Sequence, residues 1–178
     1  MCGRYFVAGE GRLAEIIERM NARGAELKTG EICPGDRACV FVGVNKVLPL
    51  SWGFEAYDKK KLIINARSET VALSKMFSPL IEGYRALVPA NAYFEWDKNK
   101  SRHSFAYETG FYMAGLFRPR EASFVILTRE AQGSLYDVHP RMPVIFNRIE
   151  AENWLNPQND PLRIIKLAQT EAVKEIDL

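Results

Sequence analysis

Arg85-Ala86-Leu87-Val88-Pro89-Ala90-Asn91-Ala92-Tyr93-Phe94-Glu95-Trp96 is the stretch that decides how this chain is built. Residues 85–88 read as a short apolar strand. It meets Pro89, which brings no N–H to a ladder. Residues 93–96 resume the strand with aromatic side chains that favour a pleated backbone. The polar run 97–104 reads as a hairpin loop, and strands follow at 105–108, 111–117 and 123–128. Upstream, residues 38–43 and 46–52 form a second hairpin across Val44-Asn45, after a turn at Pro34-Gly35-Asp36. Residues 62–64 are a further strand leading into Asn65-Ala66-Arg67.

Helices fall between these hairpins. Residues 11–20 carry Leu13, Ile16, Ile17 and Met20 at helical spacing. Ser68 suits the N-cap of a helix over 69–80. Residues 131–136 read as one helical turn, 137–142 as a loop and 143–146 as a strand. Residues 149–155 follow as a helix with Trp154 and Leu155 facing inward, then a short element at 162–168 and a last strand at 173–176. The order predicts an α+β fold, one domain over residues 1–178, with a mostly antiparallel, β-barrel-like sheet and inserted helices.

Composition is that of an ordinary soluble globular protein, with 47% apolar and 26% charged residues in a chain of 178. A net charge of +2 announces no partner, so any basic face depends on where the arginines fall. No signal peptide and no apolar run of about 18 residues is present, which predicts a cytoplasmic protein with no membrane association. Three cysteines (Cys2, Cys33, Cys39) without a CxxC predict free thiols, Cys33 and Cys39 as small buried apolar residues. Two histidines without ligand spacing predict no metal.

Four polar residues interrupt apolar runs. Asn65 follows Leu62-Ile63-Ile64, Glu95 sits between Phe94 and Trp96, Thr128 closes Phe124-Val125-Ile126-Leu127, and His139 is pinned before Pro140. A carboxyl flanked by aromatics is desolvated and titrates nearer neutrality, which suits proton transfer; an outward place on an edge strand is the alternative. For His139 the alternatives are proton transfer and a satisfied loop histidine. The chain opens Met1-Cys2-Gly3-Arg4-Tyr5. Removal of Met1 would leave Cys2 with a free α-amine beside its thiol. Such a 1,2-aminothiol condenses with an aldehyde to an imine and closes to a thiazolidine.

The segments Met1-Cys2-Gly3-Arg4-Tyr5, Ser51-Trp52-Gly53, Ile64-Asn65-Ala66-Arg67-Ser68-Glu69-Thr70, Leu87-Val88-Pro89-Ala90 with Phe94-Glu95-Trp96, Ala114-Gly115-Leu116-Phe117 and His139-Pro140-Arg141-Met142-Pro143-Val144 occur in this order. Together they resemble the SOS response-associated peptidase (SRAP) family, from Cys2 to about Trp154. The resemblance implies a groove for single-stranded DNA and a Cys-dependent, lyase-like covalent cross-link to abasic (AP) sites. That cross-link would shield AP sites during the SOS response to DNA damage. By position it implies Cys2 as nucleophile, with Asn65 orienting its amine, Glu95 shuttling protons and His139 assisting as acid. It implies Arg4, Arg67 and Arg141 on DNA phosphates, and Trp52 and Trp96 near the DNA; a solvated surface charge is the alternative for any one arginine, and core packing for each tryptophan. The partner implied is single-stranded DNA containing AP sites, engaged by a monomer without cofactor, at the nucleoid when bound.

The chain departs from the family pattern at Glu31-Ile32-Cys33-Pro34 and at Ala92-Tyr93-Phe94, which bears on the rim of the groove. Two further readings stay open on the residues. One is a Cys-His-Glu peptidase acting on its own N-terminus or on other proteins. The other is a non-covalent single-strand binder with salt-sensitive affinity, in which Cys2 is incidental.

Overall fold

A computed structural model describes residues 2–168 and 174–176, apart from the side chains of 108 and 109. Its strands are β1 (Arg4–Val7), β2 (Gly30–Ile32), β3 (Arg37–Gly43), β4 (Lys46–Trp52), β5 (Phe54–Glu55), β6 (Leu62–Ile63), β7 (Asn65–Arg67), β8 (Arg85–Trp96), β9 (Arg102–Arg118), β10 (Ser123–Glu130), β11 (Arg141–Pro143), β12 (Ile145–Phe146) and β13 (Lys174–Ile176). Its helices are α1 (Gly11–Asn21), α2 (Ser78–Gly83), α3 (Leu135–Val138), α4 (Arg148–Leu155) and α5 (Pro161–Leu167). Of the expected last strand, residue 173 lies outside the described residues.

The opening stretch becomes one continuous strand, β8, buried at every position except Asn91 and Trp96. Burial on both faces explains why its sequence is a nearly unbroken apolar run rather than an alternation. It pairs antiparallel with β9, and the register slips between Ala90 and Ala92, where Ala90 faces Phe111 but Ala92 faces Ala106. Gly110 takes up the slack at φ +74°, where a Cβ would stand 3.3 Å from the Ala90 carbonyl. The hairpin loop is shorter than 97–104. Asp97 Oδ1 accepts the N–H groups of Asn99 (2.9 Å) and Ser101 (2.8 Å), so β9 already starts at Arg102.

The main sheet has 11 strands in the path β12-β9-β10-β4-β3-β8-β1-β2, with β7, β11 and β13 attached beside it. It is mostly antiparallel, and the α+β class stands. The sheet is barrel-like in that it curls back through the β8–β9 pairing, without being a closed barrel. β3 meets β8 in register only at Phe41↔Leu87, and β4 meets β10 only at Ser51↔Ser123 and Trp52↔Phe124. Those joints carry too few rungs to weld a continuous cylinder.

Strand alternation divides the apolar side chains between two faces. Phe124, Ile126, Ala86 and Val88 join Cys2, Tyr5, Trp52 and Tyr93 in one core, with Ile17 of α1 against it. Val125, Leu127 and Leu87 face the other way, beneath Leu80 and Ile81 of α2, Trp154 of α4 and Ile165 of α5. Trp154 is fully buried and donates to the Ala86 carbonyl at 2.8 Å. Val144 hands the chain across: its N–H bonds Leu127 (2.9 Å) and its carbonyl accepts from Ala114 (2.8 Å), splitting the expected strand 143–146 into β11 and β12.

The expected helix at 69–80 does not form. The Ser68 N–H goes to the Thr128 carbonyl at 2.8 Å, and Glu69 reaches Arg141 and the Glu130 N–H. Residues 68–77 run as turns, and α2 starts only at Ser78 with Pro79 in its first turn. There a missing N–H costs nothing, whereas inside a longer helix the ring would strike the carbonyl four residues back. The helical turn expected at 131–136 lies later, as α3.

Candidate active site

Strand β1 brings the start of the chain to the end of β8, with Arg4 opposite Phe94 and Tyr5 opposite Tyr93. This places Cys2 in the core, 0% exposed, its Sγ 3.8 Å from the Arg4 carbonyl. Burial pushes the Cys2 thiol far above its ordinary value, and the nearby Glu95 carboxylate pushes it further. The resting sulfur is therefore a protonated thiol. Burial, with Cys2 next to it, also raises the phenols of Tyr5 and Tyr93.

Asn65 comes from a distant part of the sequence. Strand β7 runs parallel to β10, with Asn65 opposite Ile126 and Arg67 opposite Thr128. The preceding carbonyl, Ile64, accepts from both Trp52 Nε1 (3.0 Å) and the Ile126 N–H (3.1 Å), which fixes where Asn65 points. Asn65 Nδ2 donates to the Cys2 carbonyl at 2.9 Å. Its Oδ1 is buried without a hydrogen-bond partner.

Glu95 is 4% exposed, and burial lifts its carboxyl to about 7. Near neutral pH it is available as acid and as base. His139 Nδ1 lies 3.9 Å from Glu95 Oε1. The backbone of His139 is extended (φ −151°), as the following proline requires. The Arg141 backbone brackets His139 Nδ1, with its N–H at 3.0 Å and its carbonyl at 3.1 Å, so a neutral ring accepts from the one or donates to the other. Burial lowers the His139 pKa, favouring that neutral ring.

The remaining expected positions separate. Arg141 is largely enclosed: Nη1 and Nη2 fork onto Glu69 at 2.7 and 2.9 Å, and Nη2 also reaches the Thr128 carbonyl at 2.8 Å. That pairing holds Glu69 well below the usual carboxylate range, at about 2. Thr128 is fully buried beneath it. Arg67 is exposed and lines a surface cleft with Thr70, Tyr136, Pro140 and Arg141. Arg4 is half-exposed, 5.4 Å over the ring of the half-buried Trp96.

Trp52, placed near DNA by the resemblance, packs in the core. Its indole is 0% exposed, stacked on Phe124 (6.3 Å) and edge-on to Tyr5 (5.2 Å), with Nε1 committed to Ile64. It supports the strand that carries Asn65 rather than offering a face to a base. Cys33 is half-buried rather than buried, and Cys39 is buried as expected. Arg102 was missed in the sequence because it fell inside the loop assigned to 97–104; it starts β9, opposite Trp96. Among the described residues no group of three or more His, Cys, Asp or Glu could hold a metal ion. No described helix is long and apolar enough to cross a membrane.

A family model described as SOS response associated peptidase (SRAP) matches residues 1–178. The abasic site processing protein YedK of Escherichia coli K12 is 33% identical over 181 residues, covering 89% of this chain and 81% of that protein. The abasic site processing protein YoqW of Bacillus subtilis 168 is 28% identical over 202 residues, covering 95% and 87%. A crystal structure of a protein from Bacteroides thetaiotaomicron shares the fold with TM-score 0.78 at 22% identity, covering 98% of this chain and 90% of that one.

Proposed function

Because the chain belongs to the SOS response associated peptidase family, we propose that it processes abasic sites in DNA, through a covalent bond to Cys2. The observation that carries this reading is Cys2 held by its own carbonyl on Asn65, beside a buried carboxyl that titrates at about 7.

The chemistry follows from those groups. Trimming Met1 frees the Cys2 α-amine, whose ordinary pKa of about 7.7–8.0 leaves roughly a tenth neutral at pH 7. The ring-opened AP sugar presents an aldehyde. The amine adds to it and water leaves, giving an imine. Glu95 delivers the proton that departs with that water. The thiol then adds across the C=N bond, sulfur to carbon, while its proton reaches nitrogen by way of Glu95. The product is a thiazolidine linking protein and DNA. His139 assists opening of the sugar as an acid. Asn65 keeps the amine and thiol of Cys2 in register, and such positioning is worth several kcal/mol of barrier. The Cys2 thiol is 0% exposed, packed in the same core as Tyr5 and Trp52.

Exposed Arg67 and half-exposed Arg4 supply cations for the phosphates of a single strand. A peptidase working through a resting thiolate is disfavoured by burial that keeps the Cys2 thiol protonated. The test is an oligonucleotide with one AP site, incubated with mature protein and run on a denaturing gel. Wild type gives a shifted product and Cys2→Ala none; equal yields from the two sink the covalent mechanism. An intact-mass measurement on the same samples reads Met1 removal and the adduct directly.

A further inference from the structure

We propose that Glu31 occupies the place of a DNA backbone phosphate, and that Arg102 joins Arg4 in holding that phosphate when a single strand displaces the carboxylate. The inference rests on the reading above and names a further positioning pair at the same site. Strands β1 and β9 flank the end of β8: Arg4 lies opposite Phe94, and Arg102 opposite Trp96. The two guanidiniums cross over β8. Arg4 Cζ sits 5.4 Å from the Trp96 ring centroid, and Arg102 Cζ 3.7 Å from that of Phe94. Both converge on one side chain of β2. Arg4 Nη1 meets Glu31 Oε1 at 2.6 Å, and Arg102 Nη2 meets Glu31 Oε2 at 3.1 Å.

One carboxylate oxygen on each of two guanidiniums is a pattern that the two non-bridging oxygens of a phosphodiester reproduce. Two cations against one carboxylate leave a surplus positive charge, so the cluster attracts a further anion. The side chains of Arg4, Arg102 and Glu31 are 47%, 38% and 30% exposed, so the pairing is screened and open to exchange. The guanidiniums already lie over the Trp96 and Phe94 rings, so less freedom is lost when an anion docks. Arg4 is two residues from Cys2, so this anion position lies near the start of the chain that carries the reacting group. Glu31 then sets a threshold: a strand must exchange both ion pairs before it sits down.

The experiment is equilibrium binding of a fluorescein-labelled, AP-free single-stranded oligonucleotide to the full chain, followed by anisotropy across a salt series. Arg102→Gln should weaken binding roughly tenfold at low salt and flatten the log affinity against log salt slope by about 0.7, one phosphate's worth of counterions on a single strand. Arg102→Lys should restore the slope but only part of the affinity. Glu31→Gln should tighten binding several-fold. If wild type binds but Arg102→Gln leaves the slope unchanged, or Glu31→Gln binds no tighter, this inference is overturned and the AP-site reading stands. If wild type neither binds the oligonucleotide nor forms the AP adduct, both fall.

Discussion

Asn65 and Cys2 are 63 positions apart and joined by one hydrogen bond, Nδ2 to the Cys2 carbonyl at 2.9 Å. The other end of the same carboxamide is buried and unpaired. A buried orphan acceptor costs about 1–3 kcal/mol, and the bond returns about 1 kcal/mol. The balance runs from neutral to about 2 kcal/mol against the fold, so the value of Asn65 lies in where it holds Cys2. Asn65→Ala should leave the unfolding free energy unchanged or raise it by up to about 2 kcal/mol, while slowing adduct formation about tenfold. Asn65→Asp should be slower still, since it sets a carboxylate against the carbonyl. Denaturant unfolding and single-turnover gel kinetics on the same preparations check both.

Glu95 should show in stability and in rate, with a calculable sign. Its folded pKa is raised to about 7, so the neutral form is favoured in the folded state. Stability is full below the ordinary carboxylate value and falls as pH rises through about 7, by about 3 kcal/mol at pH 8 and under about 1 kcal/mol at pH 5. Glu95→Gln removes that slope. Relative to wild type, its melting temperature should improve between pH 5 and pH 8, and its cross-linking rate should drop about 10²–10⁴-fold. Equal pH slopes in the two proteins would mean that Glu95 does not titrate in this range.

What could be read in the sequence was pattern-breaking. Glu95 inside an aromatic strand and Asn65 after three apolar residues were conspicuous because a core resists such residues, and strand pairing brings them to the Cys2 end of β1. The helix at 69–80 misread for a physical reason. Ser68 and Glu69 have the chemistry of a helix start, but their hydrogen bonds go to Thr128, Glu130 and Arg141 across the fold. Arg102 was hidden because Asp97 tightens the hairpin turn from within, an effect that polarity alone does not report. Trp52 lies between Ser51 and Gly53, where no periodicity says which way an indole points.

Trp52 gives a third prediction, which separates packing from DNA contact. Trp52→Phe keeps an aromatic against Phe124 and Tyr5 but loses the Nε1 bond and part of the ring volume. The Ile64 carbonyl still has the Ile126 N–H, so no orphan is made. The cost should be about 1–3 kcal/mol. Affinity for an AP-free single strand, and its salt slope, should not move, because the indole has no exposed face. A large loss of affinity at unchanged stability would instead mean that the ring swings out to meet a base.

The last prediction concerns Glu69 and Arg141, whose fork ties the turns after β7 to the start of β11. The Glu69 carboxyl is held at about 2 by this pairing. A depressed folded pKa means that the contribution is complete above the ordinary carboxylate value and disappears as pH falls through about 2. The Glu69 side chain is 46% exposed, so solvent screening reduces the contribution to about 1 kcal/mol. Glu69→Gln should thus be less stable than wild type by about that amount at pH 7, and the gap should close as the pH approaches 2. The same substitution releases Arg141 from a bidentate partner while its bond to the Thr128 carbonyl keeps it in place. Where Arg141 serves a phosphate, single-strand affinity should rise in Glu69→Gln; where it serves only the fold, stability should fall with affinity unmoved. Melting curves across pH and anisotropy at one low salt concentration distinguish the two.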